Sequence, residues 1–137
     1  MEKVTVISGY FLAHLYEHLG YQDYLKLAKS FGNKVIAIIN NRNDQILKYG
    51  DVIRDPVDIA KEWSYYVDYV YINEGEDGTV SKTLEKIKNK YHVLFVKDAE
   101  YNIDNLPEKK VKGIDFYFGN NPKKDSSSKI LGIKKLQ

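Results

Sequence analysis

Residues 34–40 read Lys-Val-Ile-Ala-Ile-Ile-Asn, and every position from Val35 to Ile39 is apolar. A strand with one wet face alternates apolar and polar side chains. An unbroken run of this length therefore belongs to a strand buried on both faces, the situation of a parallel sheet covered by helices. Val4–Ser8, a β-branched stretch closed by Gly9, reads as a second such strand. Between the two, Tyr24, Leu25, Leu27, Ala28 and Phe31 recur at helical spacing, and Gly32 supplies the stop. The three pieces make a β-α-β unit.

The alternation repeats downstream. Asp55 caps and Pro56 opens a helix that runs through Ile59 and Ala60 to Trp63, and Val67–Ile72 follows as a strand. Thr79–Lys90 has helical periodicity with Val80, Leu84 and Ile87 inward, before strands at Tyr91–Val96 and Ile114–Phe118. The pattern predicts an α/β, Rossmann-like parallel sheet of five strands with helices on both faces, in one domain spanning residues 1–137. Ligands of such sheets bind outside the carboxyl ends of the strands, so functional residues are expected in the loops that follow them.

Composition removes several kinds of chemistry. The chain has no cysteine, which excludes disulfides, zinc–cysteine sites and thiol nucleophiles. No apolar run approaches the roughly 18 residues of a membrane span, and the expectation is a cytoplasmic protein with no membrane partner. Lysine and arginine total 21 against 19 acidic residues, net +2, and the signs are mixed. That balance gives no general attraction to nucleic acid, which is not expected as a partner. The local exception is the Lys- and Ser-rich stretch 122–129. Twelve tyrosines are present, and Tyr65, Tyr66, Tyr69 and Tyr71, around a strand, are expected in the core or in a dimer contact.

The first strand leads into Ser-Gly-Tyr-Phe at 8–11, and His-Leu-Gly-Tyr follows at 18–21. Gly20 permits close approach of a ligand, so this loop reads as phosphate-facing. These motifs are followed by Tyr-Leu-x-x-Ala-Lys-x-x-Gly at 24–32, the Asn40-Asn41 pair, Lys48 and Gly50, and the strand 67–72. After them come the run 75–87, the stretch 103–108 and the serines 126–128. In that order and spacing the chain resembles the cytidylyltransferase-like nucleotidyltransferases, especially the compact glycerol-phosphate and sugar-phosphate enzymes.

The resemblance implies that a small phosphorylated alcohol or sugar attacks the α-phosphate of CTP or ATP and pyrophosphate leaves. Mg²⁺ would be bound mainly through the triphosphate, with no metal ligand from the protein, in a homodimer. It places His18, Tyr21 and Lys48 in catalytic roles. Gly9, Tyr10, Phe11, Gly20 and Lys97 would lie at the nucleotide. Ser126, Ser127 and Ser128 would hold phosphate through hydroxyls and backbone N–H groups.

This sequence also departs from the family pattern. The family motif carries a second histidine where this chain has Tyr21. A phenol donates one hydrogen bond and takes no positive charge at neutral pH. Six residues, 12–17, separate Phe11 from His18 where the family has three. A register that sets His18 on the second histidine instead replaces the motif glycine with Glu17 and breaks the spacing to the helix, so the gapped register is adopted. Lys97 stands near a missing family arginine as a point charge, and Arg54 near another. His14 and His92 read as structural, and Lys124 as a weak anion-steering candidate. Two functions stay open: an active nucleotidyltransferase, and a descendant that keeps the fold and binds nucleotide, or serves structurally, without turnover.

Overall fold

Five parallel strands form the sheet of the computed structural model, which describes residues 1–98 and 101–119. They are β1 (Lys3–Gly9), β2 (Lys34–Ile39), β3 (Tyr69–Ile72), β4 (His92–Lys97) and β5 (Asp115–Phe118). The order across the sheet is β3-β2-β1-β4-β5, with every neighbouring pair parallel. Helices α1 (Leu19–Lys29), α2 (Arg42–Tyr49), α3 (Pro56–Trp63) and α4 (Ser81–Lys88) connect or follow them. This is the α/β Rossmann-like arrangement that the apolar run 35–39 requires.

The side chains of β2 divide strictly by parity. Val35, Ala37 and Ile39 join Ile7 in a core with Leu25 and Ala28 of α1 and Ile59 and Trp63 of α3. Ile36 and Ile38 join Val4 and Val6 in a second core on the opposite face, with Leu84 and Ile87 of α4 and Phe95. Each fully buried Val, Leu, Ile or Phe among them contributes about 1.5–3 kcal/mol, so the two cores hold the sheet from both sides. Among the described residues, no helix is long and apolar enough to cross a membrane.

Several boundaries differ from the sequence expectation, each for a local reason. Helix α1 starts at Leu19 rather than near Tyr24, because His18 stays extended and its Nδ1 accepts the Tyr21 N–H at 3.0 Å. Strand β3 starts at Tyr69. The Val67 amide still donates to Trp63 at the end of α3, and the Asp68 carboxylate accepts the Val35 N–H at 2.8 Å. Helix α2 has no apolar stripe to announce it: Asp44, Gln45 and Tyr49 are buried while Ile46 and Leu47 are exposed. It forms through a capping box between Asn41 and Asp44 and stops at Gly50, whose φ of 84° suits glycine. Of the four tyrosines expected in the core or in a dimer contact, Tyr65 is 80% exposed, and Tyr66 and Tyr69 are also exposed, so these three lie outside the core. Tyr65 and Tyr66 follow the end of α3, and Tyr69 opens β3, the edge strand of the sheet among the described residues. Tyr71 packs against the second core.

Candidate functional site

In this strand order, β1 is followed by a crossover to one side while β4 lies on the other, so the carboxyl ends of β1 and β4 form the switch point where such sheets bind ligands. The β1–β4 ladder stops at the Val6–Phe95 pair. Beyond it the strands separate, and α1 supplies the group that fills the gap. The Tyr24 hydroxyl accepts the Ser8 N–H at 3.2 Å and donates to the Val96 carbonyl. Burial pushes that phenol well above its ordinary pKa, so it remains a donor at any physiological pH. Tyr24→Phe will leave two buried backbone groups unmatched and is expected to cost about 2–3 kcal/mol, read as a lower urea midpoint with an unchanged slope.

At the end of β4, Lys97 is only 8% exposed. Its Nζ donates to the Ser8 carbonyl and hydroxyl, both at 3.3 Å, and lies 4.7 Å from the Tyr101 ring centroid. On the other side of β1, Lys48 of α2 stands 4.3 Å over the ring of Tyr10, whose hydroxyl donates to the Asp44 carbonyl at 3.4 Å. Burial, then the Asp44 carboxylate, push the Tyr10 phenol upward, so it too stays protonated. Lys48 from α2, Tyr10 from the loop after β1 and Lys97 from the end of β4 thus lie beside the carboxyl edge. They supply two cations and an aromatic face, groups suited to phosphate and to a flat ring.

The loop from Tyr10 to His18 is filled by its own side chains. Phe11, Leu12, Ala13 and Leu15 are buried, and the Phe11 ring packs 4.2 Å from Trp63 and 5.1 Å from Tyr21, centroid to centroid. Phe11 takes φ 49°, a left-handed conformation rare for a bulky residue. Its ring lies so close over Gly9 that a Cβ there would sit 2.8 Å away. His18 is 1% exposed, caps α1 through Nδ1 and stacks on Tyr21. Gly20 lies within the first turn of α1. Burial raises the Tyr21 phenol, against the pull of the nearby Ala13 amide. While the loop holds this conformation, no ligand atom reaches the His18 ring, and Phe11 faces the core rather than a phosphate. Phe11, Leu12, Ala13 and Leu15 all belong to the core on this face of the sheet.

Polar side chains pin this loop from outside. Glu62 of α3 meets His14 Nδ1 at 3.1 Å and the Leu15 N–H at 3.4 Å through one oxygen, and Arg54 Nη1 at 3.0 Å through the other. The same Arg54 nitrogen donates to the Leu12 carbonyl at 3.5 Å. Arg54 therefore serves the loop, and His14 is half of a carboxylate pair. His92 is exposed at the start of β4, 3.2 Å from Asp115. The serines 126–128 and Lys124 lie outside the described residues.

A second group of polar residues was missed in the sequence. Asp44 is fully buried, and its Oδ2 accepts from Asn40 Nδ2, the Asn41 N–H and Asn73 Nδ2, all at 2.9 Å. Asn73 Oδ1 accepts from Thr83 Oγ1 at 2.7 Å, and Asn41 Nδ2 donates to the carbonyls of Asn73 and Gly75. This network ties the loops after β2 and β3 to the start of α2 and to α4. The readable signal was the Asn41-x-x-Asp44 spacing of a capping box.

No family model and no curated protein matches the sequence. Among solved structures, the lipopolysaccharide core biosynthesis protein of Thermoplasma volcanium GSS1 is similar, with a TM-score of 0.63 and 22% identity. The match covers 91% of this chain and all of that one. The likeness shows a shared fold.

Proposed function

We propose that the chain is a nucleotide-binding protein of the nucleotidyltransferase type whose ligand lies at the carboxyl ends of β1 and β4. The observation that carries this reading is Lys97, an ammonium held almost fully buried at the switch point, with Lys48 and Tyr10 on the other side of β1. Burying a cation is costly unless anionic or hydrogen-bonding partners repay it, and such a group is typical of a site for an anion. Mg²⁺ would arrive on the phosphates. Mg²⁺ is commonly held by phosphates and water with little help from protein. The ligand class is a nucleoside triphosphate, CTP or ATP.

The inward His18 and the phenol at position 21 favour binding without efficient turnover. The transfer reading, in which a small phosphorylated alcohol or sugar displaces pyrophosphate, keeps one observation in its favour: His18 and Gly20 sit at the N-terminus of α1, where a polyphosphate would meet the helix. A screen of all four nucleoside triphosphates by equilibrium dialysis, with and without Mg²⁺, tests the binding. Pyrophosphate release with a panel of phosphorylated acceptors tests the transfer. Binding without release is expected, and absence of binding for every triphosphate would falsify the reading. In the transfer reading Tyr21→His restores a second cationic donor, and pyrophosphate release is expected to rise by about 10²-fold. An unchanged rate counts against the gapped register.

A further inference from the structure

Trp63 and Tyr21 carry hydrogen-bond donors that are buried together beneath the loop. Among the described residues the Trp63 indole N–H meets no hydrogen-bond partner and the Tyr21 hydroxyl, beside the Ala13 amide, meets none for its own proton; the ring centroids are 6.2 Å apart with Phe11 packed against both. Buried unsatisfied donors are rare in folded proteins and call for an explanation. A left-handed backbone at a bulky residue is rare too, and such strain gathers at ligand clamps and switches. Here both anomalies fall within one short loop, at Phe11 and directly under it. The contacts that hold the loop down from outside are of a different kind. They are the polar contacts of Glu62 with His14, whose side chain is 44% exposed, and with Arg54, which like Glu62 is largely buried, and the more open of the two, to His14, holds weakly.

We propose that residues 10–18 form a displaceable aromatic plug over a phosphate pocket, so that opening moves Phe11 off Gly9 and lets Trp63 and Tyr21 donate to phosphate oxygens. The proposal rests on the nucleotide-binding reading and adds to it a closed resting state released by the ligand. A ligand that binds only the open form has its affinity reduced by the fraction of molecules that are open. Weakening the rim contacts therefore tightens binding without touching the pocket.

Trp63 is the single tryptophan of the chain, fully buried against Phe11, and so reports opening directly. The experiment titrates the full chain with CTP, ATP and inorganic tripolyphosphate in Mg²⁺. It follows Trp63 emission and acrylamide quenching, and measures binding separately by dialysis. Glu62→Gln and His14→Gln are compared with the wild type, with circular dichroism melts showing that each folds. The expected result is a red shift and stronger quenching as ligand is added. Both variants should be more easily quenched without ligand and bind about fivefold tighter, the gain expected from a comparable rise in the open fraction. Ligand binding with unchanged Trp63 emission, and variants as protected as the wild type, overturns the plug and leaves the nucleotide reading intact. No binding by dialysis in any of the three proteins overturns both.

Discussion

Lys97→Met will bind CTP or ATP about 10- to 100-fold more weakly than the wild type, the loss expected when a charge-assisted hydrogen bond worth about 1.5–3 kcal/mol disappears. Methionine keeps an apolar stem of similar length among Phe95, Tyr24 and Tyr101, whose ring centroids surround the ammonium. It removes the charge and with it the donors to Ser8. The variant should therefore stay folded, with binding lost and the melting profile close to wild type. Equilibrium dialysis at two salt concentrations checks it. Wild-type affinity should fall with salt and the variant's should fall less, because one fewer ammonium faces the phosphates. Equal affinities would mean that Lys97 is only a brace between β4 and β1.

The largest loss of stability is expected for Asp44→Ala. One carboxylate oxygen of the fully buried Asp44 takes three donors, from Asn40, Asn41 and Asn73. Deleting it leaves those donors buried and unmatched, at a cost of about 3–5 kcal/mol. Asp44→Asn, which can keep one oxygen in place, should cost much less. Urea denaturation of the three proteins separates the cases, and a loss below about 1 kcal/mol for alanine would show that the loops after β2 and β3 are held by other contacts.

The sheet was legible because its signal is repeated and local. The apolar run 35–39 requires burial on both faces, and the parity split of β2 between two cores is the physical form of that requirement. Helix α2 was hidden because a polar network, not an apolar stripe, holds it. Lys97 and Lys48, which position after a strand and resemblance single out, both lie beside the carboxyl edge of the sheet. The loop was not readable. A sequence shows that residues 11–13 and 15 are apolar but not what they pack against, and here they join the core with Tyr21 and Trp63. Tyr24 was taken as a core residue from its spacing. Its hydroxyl, which no periodicity reports, turned out to bridge the two central strands.

The central strand of the sheet is synthesised before the other four and is among the last to be enclosed. β1 gains β2 after about thirty residues, but its other edge waits for β4, and Lys97 meets Ser8 across 89 positions of sequence. At about 5–20 residues per second, the nascent chain spends several seconds with one edge of an apolar strand unpaired. Chains halted before β4 will consequently present a sticky template instead of a partial protein, and their aggregation should drop sharply once synthesis passes residue 97.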